Sequence, residues 1–285
     1  MNQLLKNIDM KVIILLLIIL LIGLVILTTL CVCIPKRTMD NYEHLQNKIF
    51  VAIRSYNRPE YLKRTLDSLA NTDLTPISKL WIYDDGSTDK NTLDILKQHP
   101  ITDKDITSVV LNTENKGCRY SYLDLLEAMF DAHKSGEYFC IIDNDVEFAS
   151  DVFLYLNKSY EECRKVFPVE TEFPVLLSGF CPTNAHKDSR NYLDTYITSN
   201  KYFKERYCVG AVCYMFDKSS YQTIYDGWIS GDNDWGVCEH IKQKNGHMCV
   251  TSRTVVNHFG AIGENSNLTK PYDTDVHFMI NPSIV

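Results

Sequence analysis

The stretch Tyr138-Phe139-Cys140-Ile141-Ile142-Asp143-Asn144-Asp145 decides the fold of this chain. Its apolar part predicts a buried strand, and two carboxylates that flank one residue follow directly. Because successive side chains of an extended strand alternate between faces, Asp143 and Asp145 point the same way. Open α/β sheets bind their ligands at the carboxyl ends of strands. Paired carboxylates at such an end suit a hard divalent cation, Mg²⁺ or Mn²⁺, shared with phosphate groups.

Strand–helix units precede and follow this stretch. Short apolar runs predict strands at 49–53, 80–83, 108–111, 138–142, 175–180, 209–216 and 249–256. Helical segments are predicted at 60–70, 89–97, 120–134, 151–166 and 232–244, the last with Gly246 just past its end. The regular alternation up to Asp145 predicts an α/β fold with a mostly parallel central sheet and helices on both faces.

The amino-terminal part predicts a membrane anchor. Residues 12–30 carry no charge, and about 20 apolar residues are enough to cross a hydrocarbon core. The run is longer than the core of a cleaved signal peptide and lacks a small-residue cleavage site after it, which favours an uncleaved anchor. Basic residues are nearly balanced across the run, so charge leaves its orientation open. The predicted organisation is a tail at 1–11, a transmembrane anchor at 12–33, a stem at 34–46 and one domain at 47–285.

Charge and cysteine content exclude some partners. The net charge of −7 and the pI near 5.6, with dispersed basic residues, argue against binding a nucleic-acid backbone. The ten cysteines form no C-x-x-C pair after the anchor, which disfavours a structural zinc site. Eight of them follow the anchor, an even number that allows disulfides without requiring them. Cys208 and Cys213 fall in one predicted strand on opposite faces and should not pair with each other.

Four motifs follow the first four predicted strands in order. They are Ser55-Tyr56-Asn57-Arg58-Pro59-Glu60-Tyr61-Leu62, Tyr83-Asp84-Asp85-Gly86-Ser87-Thr88-Asp89, Glu114-Asn115-Lys116-Gly117-Cys118-Arg119 and Asp143-Asn144-Asp145. Together they resemble the GT-A nucleotide-sugar glycosyltransferases, especially the family 2-like group, over about residues 48–260. The resemblance implies a Rossmann-like GT-A domain that moves a sugar from a nucleotide-sugar, with UDP-sugar as the first choice, to a hydroxyl of a glycan or glycoprotein. Arg54 stands where this family usually has Pro or a small residue.

The resemblance also implies roles for individual residues. The donor nucleotide would contact Ser55, Tyr56, Asn57, Arg58, Asp84, Asp85, Arg119, Asp143 and Asn144. Asp145 would coordinate Mn²⁺ or Mg²⁺ directly, and Asp143 would contact the ribose or reach the metal through water. His258, after the last predicted strand, would complete the metal shell, because Mn²⁺ accepts imidazole.

The segment Gly231-Asp232-Asn233-Asp234-Trp235 is similar to the acidic element that supplies the base in inverting enzymes of this fold. Asp232 is the first candidate for the general base and Asp234 the second. Gly231 replaces the acidic residue that often opens this element. The alternative is an N-cap with acidic first-turn residues and no chemistry. In that case the enzyme would be retaining, although the sequence offers no candidate nucleophile.

Each of the other candidates also has a purely structural interpretation. Asp143 and Asp145 could cap a helix beginning near residue 149, and Asp84 and Asp85 could serve only as turn residues. His258 could be a core histidine, and Arg119 a solvated arginine at a helix start. Trp228 or Trp235 could pack in the core instead of stacking on a sugar.

Two other functions compete with sugar transfer. Asp143-Asn144-Asp145-Val146 also resembles the nucleophile motif of haloacid-dehalogenase-type phosphatases, but that motif normally ends the first strand of its domain. A catalytically inactive nucleotide-binding module with the same fold is the third possibility. The resemblance and the short tail together predict a single-pass type II membrane protein with a lumenal catalytic domain.

Overall fold

The computed structural model describes residues 43–180, 199–231, 234–260 and 278. The anchor predicted at 12–33 and most of the predicted stem lie outside these residues. Within the described ranges, every helix is too short or too polar to serve as a membrane span. The chain divides into two units, Met1–His44 and Leu45–Val285, and the second carries all the elements described below. Leu45, within the predicted stem, is buried in that unit.

Strands and helices alternate regularly in the second unit up to residue 142, as the sequence predicts, and less regularly after it. The strands are β1 Ile49–Ser55, β2 Ile77–Asp84, β3 Thr107–Leu111, β4 Tyr138–Ile142, β5 Val146–Phe148, β6 Val175–Ser178, β7 Phe203–Arg206, β8 Cys213–Phe216, β9 His247–Thr251 and β10 Val256–His258. The α-helices are α1 Pro59–Ala70, α2 Lys90–Gln98, α3 Gly117–Asp131, α4 Val152–Val166, α5 Lys218–Ser230 and α6 Asp234–Gln243.

Eight of these strands form one sheet in the order β3-β2-β1-β4-β8-β6-β9-β7. The first four pair in parallel, β8 is antiparallel to both β4 and β6, and β7 is antiparallel to β9. Because β6 and β9 are again parallel, most described strands run in one direction, which confirms the predicted α/β sheet. The chain moves outward from β1 to β3 and then returns to the other side of β1 with β4. This reversal is the point at which such sheets bind ligands.

Both faces of the sheet are covered by apolar helix surfaces. In β1, Val51 and Ile53 join the cluster that contains Leu66 of α1, whereas Phe50 and Ala52 join the cluster on the opposite face. The first cluster also includes residues of α4, and the second includes residues of α3, α5 and α6. A strand buried on both faces reads as an unbroken apolar run, which is why β1 and β4 were visible in the sequence.

Two predicted strands differ from the observed ones. The strand predicted at 209–216 begins only at Cys213, after a turn at residues 211–212. The amide of Ala211 donates to Asp234 Oδ2 at 3.3 Å, so it contacts helix α6 instead of a neighbouring strand. The strand predicted at 249–256 is interrupted after Thr251, and its continuation β10 leaves the main sheet to pair antiparallel with β5.

Candidate active site

The Asp143-Asn144-Asp145 triplet lies directly after β4, at the reversal of strand order. Three surrounding segments hold its backbone. The amide of Asp143 donates to Val212 O at 3.1 Å, and Asn144 O accepts from Thr65 Oγ1 at 2.8 Å. The amide of Phe259 donates to Asp145 O at 3.0 Å. The triplet is therefore fixed between helix α1, the segment before β8 and the chain leaving β10.

Asp143 pairs with Arg54, the residue at which the chain departs from the family pattern. Arg54 Nη2 and Nε lie 2.7 and 3.2 Å from Asp143 Oδ1. The guanidinium also donates to Cys118 O at 3.3 Å and lies 4.8 Å from the ring centre of Tyr122. Burial raises the pKa of Asp143 despite the opposing charge of Arg54. Arg54 is thus held on several sides, and it neutralises the first carboxylate of the triplet.

Asp145 occupies a different environment, between two groups that can carry positive charge. Arg58 Nη1 lies 2.9 Å from Asp145 Oδ2, and His258 Nε2 lies 3.2 Å from Asp145 Oδ1. Burial raises the pKa of Asp145, but its interactions with His258 and Arg58 outweigh burial and leave the pKa lowered. The carboxylate that the sequence assigns to the metal is therefore the one stabilised in its charged form.

Neither carboxylate caps a helix. Helix α4 begins at Val152, and its N-cap residue is Asp151. Asp151 itself pairs with Arg253, whose Nη2 lies 2.6 Å from its carboxylate oxygens. The contacts of Asp143 and Asp145 are thus directed to the crevice between β1 and β4, and the capping interpretation of the triplet is wrong.

The loop after β1 aims Arg58 at this crevice. Asn57 and Arg58 have left-handed backbone conformations, with φ of 48° and 58°. Asn57 stabilises its conformation by donating its amide to Ser87 Oγ at 2.6 Å and accepting from the Thr88 and Asp89 amides at 3.1 and 3.0 Å. A left-handed conformation in a residue as bulky as Arg is unusual, costs about 1–3 kcal/mol, and concentrates at functional sites.

Helix α1 also fixes the chain that follows β10. The ring of Phe259 stacks on Tyr61, with ring centres 5.7 Å apart, and the guanidinium of Arg64 lies 3.9 Å from the Phe259 ring centre. The pairing of His258 with Val146 in the small sheet places the imidazole next to Asp145. His258 is therefore positioned by β5 from one side and by α1 from the other.

Gly260 lies so close to Asp145 and His258 that any side chain at this position would clash with both possible metal ligands. A Cβ at this glycine would lie 2.1 Å from Asp145 Oδ2 and 2.8 Å from His258 Nε2. Carboxylate and imidazole donors together suit Mn²⁺, and a divalent ion can take its other ligands from phosphates and water. No cluster of three or more His, Cys, Asp or Glu with metal-binding geometry occurs among the described residues. The chain thus offers a two-ligand site that fits an ion shared with substrate.

Two polar atoms of sequence-predicted donor residues are buried at the triplet with no hydrogen-bond partner in the described part of the chain. They are Ser55 Oγ, at the end of β1, and Asn144 Nδ2. Both residues are at least nine-tenths buried. Buried polar atoms are normally satisfied, and exceptions call for an explanation such as a ligand or water. Both residues are among the sequence-predicted donor contacts.

Asp84 and Asp85 hold two turns of the predicted donor site together. Asp84 accepts from Ser87 N at 2.7 Å and from Ser87 Oγ at 2.6 Å, closing its own turn. Asp85 accepts from the amides of Lys116 and Gly117 at 3.1 and 3.0 Å. Gly86, with φ of 73°, lies so close to the second turn that a Cβ would be 2.4 Å from the carbonyl carbon of Glu114. The turn-forming interpretation therefore describes the contacts seen, and donor contacts of Asp84 and Asp85 stay predictions.

Arg119, Trp228 and Tyr56, which were predicted to contact the nucleotide or a sugar, lie in three different surroundings. Arg119 Nε donates to Trp228 O at 3.0 Å, and its Nη2 donates to Ile229 O, both at the end of helix α5. Trp228 is buried and stacks on Tyr122, with ring centres 4.2 Å apart, so it packs in the core. Tyr56 is 40% exposed after β1.

The candidate base element is described in part. Asp232 and Asn233 lie outside the described residues. Asp234 is the first residue of α6, and its Oδ2 accepts from the Ala211 amide at 3.3 Å. Gly210 is also adjacent, since a Cβ there would lie 3.8 Å from Asp234 Oδ2. The segment before β8 therefore joins Asp234 to the D-x-D triplet, because its residue Val212 accepts the Asp143 amide.

Sequence reasoning did not single out Gly260, Cys118 or Tyr122. Gly260 follows His258-Phe259 directly, so its position after a predicted metal ligand was the available signal. Cys118 and Tyr122 contact Arg54 from a helix 64 or more residues further along the chain. No local pattern in the sequence reports such a contact.

Comparisons with known proteins agree with this architecture. The structure of GalNAc-T7 with UDP, GalNAc and Mn2+ aligns with a TM-score of 0.54 at 13% identity, over 76% of this chain and 44% of that one. Two structures of S. aureus TarS align with TM-scores of 0.49 and 0.46 at 15% and 18% identity. They cover 73% and 75% of this chain, and it covers 36% and 61% of theirs. This chain therefore spans less than two thirds of each solved chain.

The search of curated proteins gave no match. The family model described as glycosyl transferase family 2 matches residues 50–223, which is more than half of the 285 residues. That range includes β1, the loop with Arg58, the Asp84-Asp85 turn and the D-x-D triplet at the reversal of strand order. With its GT-A fold and these motifs in order, the chain belongs to glycosyl transferase family 2.

Proposed function

We propose that this protein is a hexosyltransferase-type enzyme that moves a sugar from a nucleotide-sugar, with UDP-sugar as the first choice, to a hydroxyl of a glycan or glycoprotein. The observation that carries the proposal is the cluster of Asp145, His258 and Gly260 at the reversal of strand order. It combines the donor set for a divalent ion with a glycine that keeps any side chain away from both donors. The similar fold of GalNAc-T7, whose structure contains UDP, GalNAc and Mn2+, supports a nucleotide donor and a metal.

Asp145 and His258 would hold Mn²⁺ or Mg²⁺, which supplies Lewis-acid neutralisation of the diphosphate leaving group. Arg58 adds a positive charge on the same side of the crevice, 2.9 Å from Asp145. Asp143, neutralised by Arg54, is better suited to accept from a ribose hydroxyl than to ligate the ion. The two arginines offset the charge of the triplet, so the crevice can accept a diphosphate.

Among the residues predicted to contact the nucleotide-sugar, Ser55 and Asn144 have the strongest support from the structure. A hydroxyl and an amide that are buried without partners lose hydrogen-bonding free energy, about 1–3 kcal/mol each. A nucleotide in the crevice would satisfy both. Nucleotide binding would thus give both polar atoms the hydrogen bonds that they lack in the free protein, and this gain would add to the affinity. Asn57 would contribute indirectly, because it holds the loop that carries Arg58.

The acceptor hydroxyl needs a base, and the proposal assigns this role to Asp232 first and Asp234 second. A carboxylate can accept the proton because the hydroxyl becomes acidic as its bond to the anomeric carbon forms. Asp234 lies at the start of α6 next to the segment that contacts Asp143. With either aspartate as base, the reaction inverts the anomeric configuration.

The proposal also places the enzyme at a membrane. The uncharged run at 12–30 is long enough to span a bilayer. A type II arrangement would put the catalytic domain in the lumen, where glycan and glycoprotein acceptors would be substrates. Protease protection in sealed microsomes, with or without detergent, tests this orientation.

Donor turnover by the full-length protein tests the proposed activity. UDP release from a panel of UDP-sugars with Mn²⁺ and a mixture of glycan acceptors is measured for wild type, Asp232→Asn and Asp234→Asn. Loss of the base should lower turnover about 10²- to 10⁴-fold. The control is Asp226→Asn, an exposed position on α5 near His240, which should turn over like wild type.

Wild-type rates in both Asp232→Asn and Asp234→Asn would refute the base assignment. No turnover of any nucleotide-sugar by the wild type would favour the inactive module. Covalent phosphorylation of Asp143 by a phosphate analogue would favour the phosphatase.

A further inference from the structure

Two buried cysteines from distant parts of the chain lie in direct contact next to the candidate base. Cys208 precedes β8, and Cys238 is on helix α6; their sulfur atoms are 3.1 Å apart. That separation is about 1 Å longer than a disulfide bond of about 2.05 Å. We propose that Cys208 and Cys238 form a disulfide under oxidising conditions, which fastens helix α6 to the segment that precedes β8.

The backbone around the two sulfurs is already arranged for this bond. Cys238 Sγ lies 3.5 Å from the Val209 amide and 3.4 Å from Val209 O. Val209 O also accepts from Tyr214 Oη at 3.0 Å, which ties the segment to β8. Closing the sulfur–sulfur distance by about 1 Å needs side-chain rotation or a small backbone shift, which a segment outside regular strand structure can supply.

This pair is more accessible than the other thiol contacts of the described residues. Cys140 is next to Cys213, and Cys163 is next to Cys249, but all four are fully buried in the core. Cys208 is 8% exposed, which makes it the most exposed member of these three thiol pairs. Reactivity of thiols with disulfides depends on such access. The Cys208–Cys238 pair is therefore the one expected to oxidise first.

The chemistry balances with a small-molecule disulfide, such as oxidised glutathione, as the oxidant. The Cys208 thiolate attacks one sulfur of that disulfide and releases one glutathione thiolate, forming a mixed disulfide. The Cys238 thiolate then attacks the Cys208 sulfur and releases the second glutathione thiolate. One protein S–S bond forms, two protons leave the protein thiols, and the oxidant gains two electrons.

The bond would act on the acceptor side of the site. Asp234 lies one helical turn before Cys238, on the same face of α6, and accepts from the Ala211 amide at 3.3 Å. Val212, which follows Ala211, accepts at its backbone oxygen from the Asp143 amide at 3.1 Å. If Asp234 is the base of the proposed function, the bond also fixes the distance from that base to the D-x-D triplet.

Peptide mapping of the full-length protein tests the bond without any substrate. Trypsin cleaves after Arg206, Lys218 and Lys242, so Cys208 and Cys238 fall in separate peptides, 207–218 and 219–242. After equilibration with oxidised glutathione and blocking of free thiols, mass spectrometry should find these two peptides joined, with fragment ions assigning the bond to Cys208. Cys208→Ser should remove the joined pair, and the control Cys163→Ser should keep it. No joined pair, or a bond at Cys213, would overturn the proposal.

Hydrogen exchange of the same samples tests the fastening. Oxidation should slow amide exchange in helix α6 of wild type and leave it unchanged in Cys208→Ser. Equal exchange in oxidised and reduced wild type would show that the bond holds nothing in place. Neither peptide mapping nor hydrogen exchange needs a nucleotide-sugar. Absence of sugar transfer would therefore refute the proposed function and leave the proposed disulfide unaffected. With an active enzyme, reduction should lower kcat with unchanged UDP affinity, and an unchanged kcat would overturn the positioning role.

Discussion

At the residue scale, the two carboxylates of the triplet have opposite surroundings. Asp143 is half-buried against Arg54, and desolvation raises its pKa, whereas Asp145 lies between Arg58 and His258 and its pKa is lowered. Environments that shift the pKa values of two neighbouring carboxyl groups in opposite directions are typical of sites in which the groups have different roles. Asp145 is the carboxylate whose surroundings favour its charged form and include a second possible metal ligand, His258, whereas Asp143 has its charge offset by Arg54.

Removing Arg54 should destabilise the protein more than a surface substitution would. Arg54→Met leaves the half-buried Asp143 carboxylate without its cation. Breaking one side of a fully buried pair costs about 3–5 kcal/mol, and the partial exposure of this pair lowers the expected loss to about 1–3 kcal/mol. Urea unfolding at neutral pH measures this loss. The double variant Arg54→Met/Asp143→Asn should recover most of it, because the uncompensated charge is gone. A double variant no more stable than Arg54→Met would contradict the pairing.

Part of the site could be predicted at this scale and part could not. The D-x-D spacing and a histidine after an apolar strand indicate Asp145 and His258, and the structure brings these two side chains to 3.2 Å. The pairing of Arg54 with Asp143 joins residues 89 positions apart. It was not predictable, because the sequence shows Arg54 only as a departure from the family pattern. The position of Gly260 was also not predictable, because its proximity to Asp145 depends on the course of β10.

At the element scale, the sequence predicts the parallel half of the sheet best. β1 and β4 are unbroken apolar runs because both of their faces are covered by helices. The later strands were harder to place. The run at 209–216 has strand-like composition, but Ala211 bonds to Asp234, and such a tertiary contact overrides local propensity. The end of α6 also differs from the prediction, since Asn245 and not Gly246 has the left-handed conformation, with φ of 54°.

Helices α4 and α5 are joined by a buried ion pair that makes stability depend on pH. Arg164 Nε and Nη2 lie 2.7 and 2.8 Å from the two carboxylate oxygens of Asp217, the N-cap residue of α5. Burial raises the pKa of Asp217, but the hydrogen bonds and charge of Arg164 outweigh it and leave the pKa lowered. A carboxylate with a lowered pKa in the folded state stabilises at neutral pH, and the contribution is lost as the pH falls through that pKa.

Asp217→Asn should therefore lower the free energy of unfolding by about 3 kcal/mol at pH 7 and by progressively less toward pH 3. Asparagine is also a good N-cap, so the loss reports the charge and not the cap. Urea unfolding between pH 3 and 7 measures both curves. The control Asp94→Asn removes an exposed pair with Lys90 and should leave the pH dependence as in wild type. A loss independent of pH would contradict the ion-pair account.

At the scale of the whole molecule, the strand order explains why the motifs work together. The loops after β1 and β4 meet because the chain reverses its direction of sheet growth between these strands, and β10 returns from the far end of the sequence to pair with β5. The resemblance carried by the four motifs predicts one donor site that includes residues of both loops. The return of β10 depends on a break after Thr251 that local apolar composition conceals.

The central claim is that Asp145 makes nucleotide binding depend on a divalent ion. The thermal unfolding midpoint of the full-length protein is measured with UDP, GDP or CMP, each with and without Mn²⁺. A ligand that binds only the folded protein stabilises it, by about 2.7 kcal/mol at a hundred times its Kd. The control variant is Glu147→Gln, which removes a neighbouring carboxylate that pairs outward with Arg64 at 2.9 Å.

We expect a rise that needs both UDP and Mn²⁺, is absent in Asp145→Asn and is retained in Glu147→Gln. No rise with any nucleotide, or an equal rise in Asp145→Asn, would contradict the account.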